Sequence, residues 1–337
     1  MIIMMNSIQV LGAGFCCIDI IHTDKSTLTS IGGTAANVIS ILSAMGISVS
    51  FIYPRYKNEL GEWIENNLEE RKVSIIPFTE SRQSAPRIIE KLDIHTGYHC
   101  FFSICPICGK KLANVILPQK KQIDSKTLKY VNGINMFYYD RLSTGIDTIV
   151  ENNSCGWNFY EPNSCRNKNR ILDSIKSADI VKFSNSRIKG SSAECLITSI
   201  QEGSGKLIIE TRGIEGFRYK VREPNGIFSD WIDVSPSTMP IVVDESGAGD
   251  WLTAVFIRLF LNKYPWRVDY IDSIEVEKMF NIAKEIAAYK CNYIGAQYVL
   301  SDPKAIEYIE CLLGIDVLQL NKSSMNWHDG CYYCGTP

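Results

Sequence analysis

The chain has 337 residues, and its 35 basic and 37 acidic side chains leave a formal charge of −2. Hydrophobic residues make up 45% and charged residues 21%, a globular mix that excludes dominant disorder and supplies a sizeable core. The near-neutral balance argues against a general nucleic-acid binder, which needs a cationic face, and no apolar run reaches the roughly 20 residues that span a bilayer.

Taken in order, the chain alternates strands and helices. Met1 to Val10 is apolar but has no basic flank and no small-residue cleavage site, so no signal peptide is expected. Ile8 to Leu11 reads as a short buried strand, followed by Gly12 and Gly14. Apolar residues at 35, 38, 39, 42 and 45 give Ala35 to Met45 a helical spacing that Gly46 ends. Ile47, Val49, Phe51 and Tyr53 alternate as a strand, with Pro54 expected to close it, and a polar helix follows around Glu59 to Lys72. Arg87 to Ser103 breaks the rhythm: it reads as two strands around a polar turn at His95, Thr96 and Gly97, a hairpin suited to a lid. Further strands are expected at Ile134 to Tyr139, Trp157 to Tyr160, Ile180 to Phe183 and Leu207 to Glu210, and long helices at Ala248 to Leu261 and Val276 to Cys291. Such alternation implies a mostly parallel sheet covered by helices on both faces.

Twelve cysteines is a high count. Cys16, Cys17, Cys195, Cys291 and Cys311 fall in apolar or helical-looking segments, where a reduced thiol acts as a small hydrophobe, so a reducing, cytoplasmic setting is expected. Four others form two Cys-x-x-Cys-Gly knuckles, Cys105/Cys108 and Cys331/Cys334. Two such turns together make a sulfur-only tetrahedral site of the kind zinc prefers, closed and therefore structural. The alternative is a pair of unrelated, redox-active turns. His328 stands nearby as a spare ligand or a bystander.

Among chemical motifs, Gly12-Ala13-Gly14 lacks the third glycine of a dinucleotide fingerprint, since Cys17 stands there. No P-loop and no His-Glu-x-x-His pattern occurs. The strongest signal is Asp244-Glu245-Ser246-Gly247-Ala248-Gly249-Asp250, opening an apolar helix. Glycine-rich backbone at a helix N-terminus leaves free N–H groups and the positive end of the dipole, an anion site. Asp250, in the first turn, suits a general base beside that anion; the bland alternative is a capping acid.

This segment resembles the signature of the ribokinase-like PfkB family of carbohydrate and nucleoside kinases, and other segments agree in order. Gly14 to Asp19 resembles the family's first-strand motif, which implies that Asp19 binds substrate hydroxyls. Gly32-Gly33 with Asn37 four residues beyond resembles its glycine pair and substrate-binding Asn. Thr211-Arg212-Gly213-Ile214-Glu215-Gly216 resembles its nucleotide-binding turn, and Gly295-Ala296 the segment near the adenine. Two departures stand out. The family's Asn-x-x-Glu after the strand ending at Phe183, which helps organise magnesium, is Ser184 and Arg187 here, and its Gly-x-Asp ahead of Gly61 is Tyr56 and Asn58.

The resemblance implies an α/β, ribokinase-like, doubly wound and mostly parallel sheet with a small β lid. Residues 1–320 would form the kinase domain, with a lid hairpin at about 86–110 inserted, and 321–337 a tail carrying the second knuckle. It further implies ATP and Mg²⁺, with Asp250 as base and Gly247, Ala248 and Gly249 as the anion hole. Asp19, Gly32, Gly33 and Asn37 would hold the acceptor, and Thr211, Gly213, Gly216 and Gly295 the nucleotide. Cys105, Cys108, Cys331 and Cys334 are the expected zinc ligands. The expected partner is a small sugar or nucleoside, with no membrane and no general nucleic acid, and self-association as a homodimer stays open. A catalytically weakened kinase fold acting as a ligand sensor or partner-binding module is the alternative, motivated by Arg187.

Overall fold

The computed structural model describes residues 8–96, 98–163, 168–237, 242–322, 325, 331 and 333–335; His328 lies outside the described residues. The first half runs β1 (Gln9–Ala13), β2 (Cys17–His22), β3 (Thr27–Gly32), α1 (Thr34–Ala44), β4 (Ser48–Tyr56), α2 (Glu59–Glu70), β5 (Ser74–Ser81), β6 (Arg87–Leu92), β7 (His99–Phe102), α3 (Ser125–Val131) and β8 (Met136–Tyr139). There follow α4 (Thr144–Asn152), β9 (Trp157–Tyr160), α5 (Lys168–Ile175), β10 (Ile180–Ser184), α6 (Ser191–Glu202), β11 (Leu207–Thr211), β12 (Phe217–Val221), β13 (Ile232–Val234), α7 (Ala248–Lys263), α8 (Ser273–Lys290) and α9 (Pro303–Leu313).

Nine strands form one sheet in the order β13-β12-β11-β10-β9-β8-β1-β4-β5. From β5 to β11 every pairing is parallel, and β12 and β13 extend the edge antiparallel. The central strands are apolar on both faces because both faces are covered. On one face Val10, Phe51, Met136, Tyr138, Trp157 and Leu207 pack with residues of α1, α7, α8 and α9. On the other, Leu11, Phe137, Tyr139, Val181 and Ile208 pack with residues of α3, α4 and α6. Among the described residues no helix is long and apolar enough to cross a membrane.

A second sheet, β3-β2-β6-β7, stands apart from the first. The expected hairpin is present as β6 and β7, but it is only half of the lid. β6 also pairs in parallel with β2, and β2 pairs antiparallel with β3. Residues 17–32, between the first strand and the first helix, therefore belong to the lid, and Asp19 lies on a lid strand rather than on the first strand. Pro54 does not close β4: a register shift between Tyr53 and Arg55 accommodates it, and the strand runs on to Tyr56. Cys16, Cys17 and Cys291 are buried as expected of small hydrophobes, whereas Cys311 is exposed and Cys195 half-buried.

Candidate functional site

The parallel strands β1, β8, β9, β10 and β11 end side by side, and in such sheets ligands bind outside the carboxyl ends. Asp140 follows β8, Glu161 follows β9, and Ser184 of β10 stands opposite Thr211 of β11. Helix α7 begins at the same place: Lys182 of β10 donates to Gly249 O at 3.1 Å and to Glu161 Oε1 at 2.5 Å.

Gly247 caps α7 with φ 80°, and a Cβ there would stand 2.4 Å from Ala296 Cβ. Only glycine fits both the backbone angle and the space. First-turn N–H groups have no helical partner. That of Ala248 bends back to Glu245 O at 3.1 Å, so an anion would draw on its neighbours rather than on Ala248. Gly295 also has positive φ, and its N–H donates to Asp244 Oδ2 at 2.6 Å. Asp244, fully buried, further accepts from Ser246 N and Ser246 Oγ, which fixes the turn that precedes the helix.

Asp250, in that first turn, accepts from Asn37 Nδ2 at 2.7 Å. Two residues 213 apart in sequence, one expected to hold an acceptor and one to act as base, thus meet directly. Asn37 is buried, not on a solvent face. Its Oδ1 accepts from Gln297 Nε2 at 3.1 Å, and Gln297 Oε1 accepts from Arg71 Nε at 2.9 Å. Burial, reinforced by the Glu161 charge, pushes the Asp250 carboxyl up to about 7 against the lowering effects of Asn37, Lys182 and Arg187.

Asp19 lies directly over Gly32, where a Cβ would stand 1.9 Å from its carboxylate oxygen. Gly33, at φ 90°, caps α1, and a Cβ there would meet Phe15 O at 2.5 Å. Burial raises the Asp19 carboxyl to about 7, opposed by the Cys17 thiol that donates to it. Thr211 to Gly216 forms the tight hairpin between β11 and β12, with Gly213 and Gly216 both at positive φ. Its link to the α7 start runs through β10, from Thr211 across to Ser184 and on to Lys182.

Sequence reasoning missed several groups here. Buried Lys182 pairs with the half-buried Glu161, and Tyr138 Oη and Thr253 Oγ1 also donate to Glu161. The signal was a lysine inside an otherwise apolar strand. Asp140 accepts from Phe15 N at 2.8 Å, and Gln297 and Arg71 brace Asn37; neither has a local sequence signature.

Solved structures share this architecture. A ribokinase from Giardia lamblia superposes with a TM-score of 0.68 at 15% identity, covering 86% of this chain and 95% of that one. A fructokinase from Xylella fastidiosa with bound ATP gives 0.71 at 15%, covering 91% and 98%. An adenosine kinase from Sinorhizobium meliloti gives 0.65 at 16%, covering 86% and 96%. The fold is ribokinase-like. No protein-family model matches the sequence, and no curated protein matches it.

Within the ribokinase-like fold the lid closes toward the Asp244 turn. Glu90 of β6 and His99 of β7 face it, with His99 Nδ1 3.8 Å from Asp244 Oδ1 and 4.0 Å from Glu90 Oε1. After β10, Ser184 bonds Ser186, and the exposed Arg187 donates to Asn163. Elsewhere, Cys105, Cys108, Cys331 and Cys334 converge, their sulfurs all within 4.8 Å of one another.

Proposed function

We propose that this chain is an ATP-dependent kinase that phosphorylates a primary hydroxyl of a sugar or a nucleoside. The observation that carries this reading is the Asn37–Asp250 hydrogen bond at the glycine-rich start of α7. An acceptor hydroxyl held between Asn37 and Asp19 would lie against Asp250. Asp250 takes the hydroxyl proton, the acceptor oxygen bonds to the γ-phosphorus, and the bond from that phosphorus to the bridging oxygen breaks, releasing ADP. First-turn N–H groups of α7 and the helix dipole meet the charge on the transferred group. A carboxyl raised to about 7 is matched to proton transfer near neutral pH. Gly213, Gly216 and Gly295, lacking side chains, let the nucleotide approach the backbone near Thr211, while the Gly295 N–H is itself committed to Asp244.

Magnesium characteristically binds through substrate phosphates and one or two carboxylates, retaining several waters. The residues after β10 add no carboxylate: Ser184 and Arg187 stand there, and Glu161 is already engaged by Lys182, Tyr138 and Thr253. In this reading Mg²⁺ is carried by ATP, and Arg187 supplies positive charge at the phosphate side. Residues 1–320 act as the kinase unit and 321–337 as a tail, of which Cys331, Tyr333 and Cys334 meet its lid.

Arg187 also favours a second reading, a kinase fold that binds ligand and turns it over weakly. ATP turnover against a panel of sugars and nucleosides decides between them. Product with at least one acceptor, abolished in Asp250→Asn, supports the kinase; tight ligand binding without product supports the sensor.

A further inference from the structure

Cys105 and Cys331 begin two turns of the same shape. Gly109 N donates to Cys105 O at 2.9 Å, and Gly335 N donates to Cys331 O at 2.8 Å. Each turn ends on its glycine in the left-handed region, at φ 71° and φ 60°. The sulfurs pair across the two turns, Cys105 with Cys331 at 3.9 Å and Cys108 with Cys334 at 3.7 Å. A disulfide needs about 2.05 Å. Four sulfurs at about 2.3 Å from a central zinc lie about 3.8 Å from one another, a spacing that the two measured pairs bracket.

The surroundings match a metal with four thiolates. That unit carries two negative charges, and a buried cation beside it offsets one of them. Arg87, the first residue of β6, is 2% exposed and lies within electrostatic reach of all four thiols. Its Nη1 donates to Cys334 O at 2.7 Å, while its Nε finds no partner among the described residues. Cys105 and Cys334 are buried, Cys331 is half-buried and Cys108 is exposed, so the site is screened from solvent on one side.

We propose that these cysteines hold one zinc ion that straps the tail across the lid sheet and thereby fixes the acceptor strand. Two further contacts dock the tail on the same sheet. Tyr333 stacks on His22 at 3.9 Å with 5° between the planes, and His22 Nε2 donates to Tyr333 O at 2.9 Å. Both docking points flank Asp19: His22 ends its strand, and Arg87 pairs in register with Ile18, its neighbour. No open coordination position remains, so the zinc is structural. The effect on the acceptor rests on the kinase reading; the metal site does not.

The test uses the full-length protein purified under reducing conditions. Metal analysis should find about one zinc per chain, and cobalt substitution should give the intense sulfur-to-metal charge-transfer absorption of a tetrathiolate. Cys334→Ser and Cys105→Ser should each lose the metal and expose the tail to protease, whereas Cys108→His, which keeps a zinc ligand, should retain both metal and protection. The acceptor KM should rise about tenfold on metal removal with the ATP KM unchanged, a tenfold loss corresponding to about 1.4 kcal/mol. Metal-free protein with a protected tail, or two disulfides in place of four thiols, overturns the zinc site. Zinc bound but an acceptor KM unmoved by its removal overturns the coupling to Asp19. Should every variant fail to fold, metal content and charge-transfer absorption of the unaltered protein still decide the site. Absence of kinase activity with zinc present and the tail protected would refute the kinase reading and leave the metal site standing.

Discussion

A carboxylate that takes a proton near neutral pH needs an environment that resists its ionisation without preventing it. Asp250 has one: burial and Glu161 raise its carboxyl to about 7, while Asn37, Lys182 and Arg187 hold it from rising further. In the proposed role Asp250 works only when deprotonated, so turnover should climb as pH rises through about 7 and level off above it. Asp250→Asn should lower transfer by at least about a hundredfold with ATP binding nearly intact, measured by steady-state kinetics and by calorimetry with ATP. Near-normal turnover in that variant would remove Asp250 from the role. Glu90 shows the opposite use of a buried carboxyl. Burial first, then the charges of Asp244 and Asp19, push it up to about 8. The folded protein therefore keeps a proton that the unfolded chain releases in the ordinary carboxylate range. Its stabilising effect is complete below that range and is lost as pH rises toward about 8. Glu90→Gln removes this titration while keeping the shape. Its melting temperature should match the unaltered protein near pH 4 and exceed it by about a few degrees at pH 8.5. Equal melting curves at both pH values would refute the raised carboxyl.

The start of α7 depends on one residue having no side chain. At Gly247 the backbone is left-handed, and any Cβ would press on Ala296. Gly247→Ala should cost about 1–3 kcal/mol of stability from backbone strain and crowding, read by denaturant unfolding, and turnover should fall with it because the cradle shifts. An unchanged unfolding midpoint would show that the turn can relax. Elements differ in how plainly sequence announces them. Trp157 to Tyr160 was legible to the residue, because three of its four side chains are large aromatics that favour a strand. The lid strands β2 and β3 were not: Asp19 and His22 break the short apolar run of β2, and β3 is mostly Thr, Ser and Gly. Within the site, the glycine-rich helix start and Asn37 were visible as local motifs. Lys182 with Glu161, and Gln297 with Asn37, were not, because each pair joins residues that only the folded sheet and helices bring together.

At the scale of the whole molecule, four separate segments meet in one buried chain of hydrogen bonds. Arg71 closes α2, Gln297 follows α8, Asn37 lies in α1 and Asp250 opens α7. The chain has a direction. The Asp250 carboxylate only accepts, so Asn37 must present its amide nitrogen to it and its oxygen to Gln297. Gln297 in turn must donate to Asn37 and accept from Arg71. The orientation of the Asn37 amide is thus set from Arg71, through Gln297. Gln297→Glu tests this, since a carboxylate still accepts from Arg71 but cannot donate to Asn37. The Asn37 amide should then turn its nitrogen toward the new carboxylate and its oxygen toward Asp250. Asp250 loses the hydrogen bond that lowers its pKa, and the acidic limb of the pH–rate profile should move above about 7. The acceptor KM should rise while the ATP KM holds. A purely structural role for Gln297 would lower stability and leave the pH midpoint in place, so an unmoved midpoint in a folded variant would break the proposed chain at Gln297.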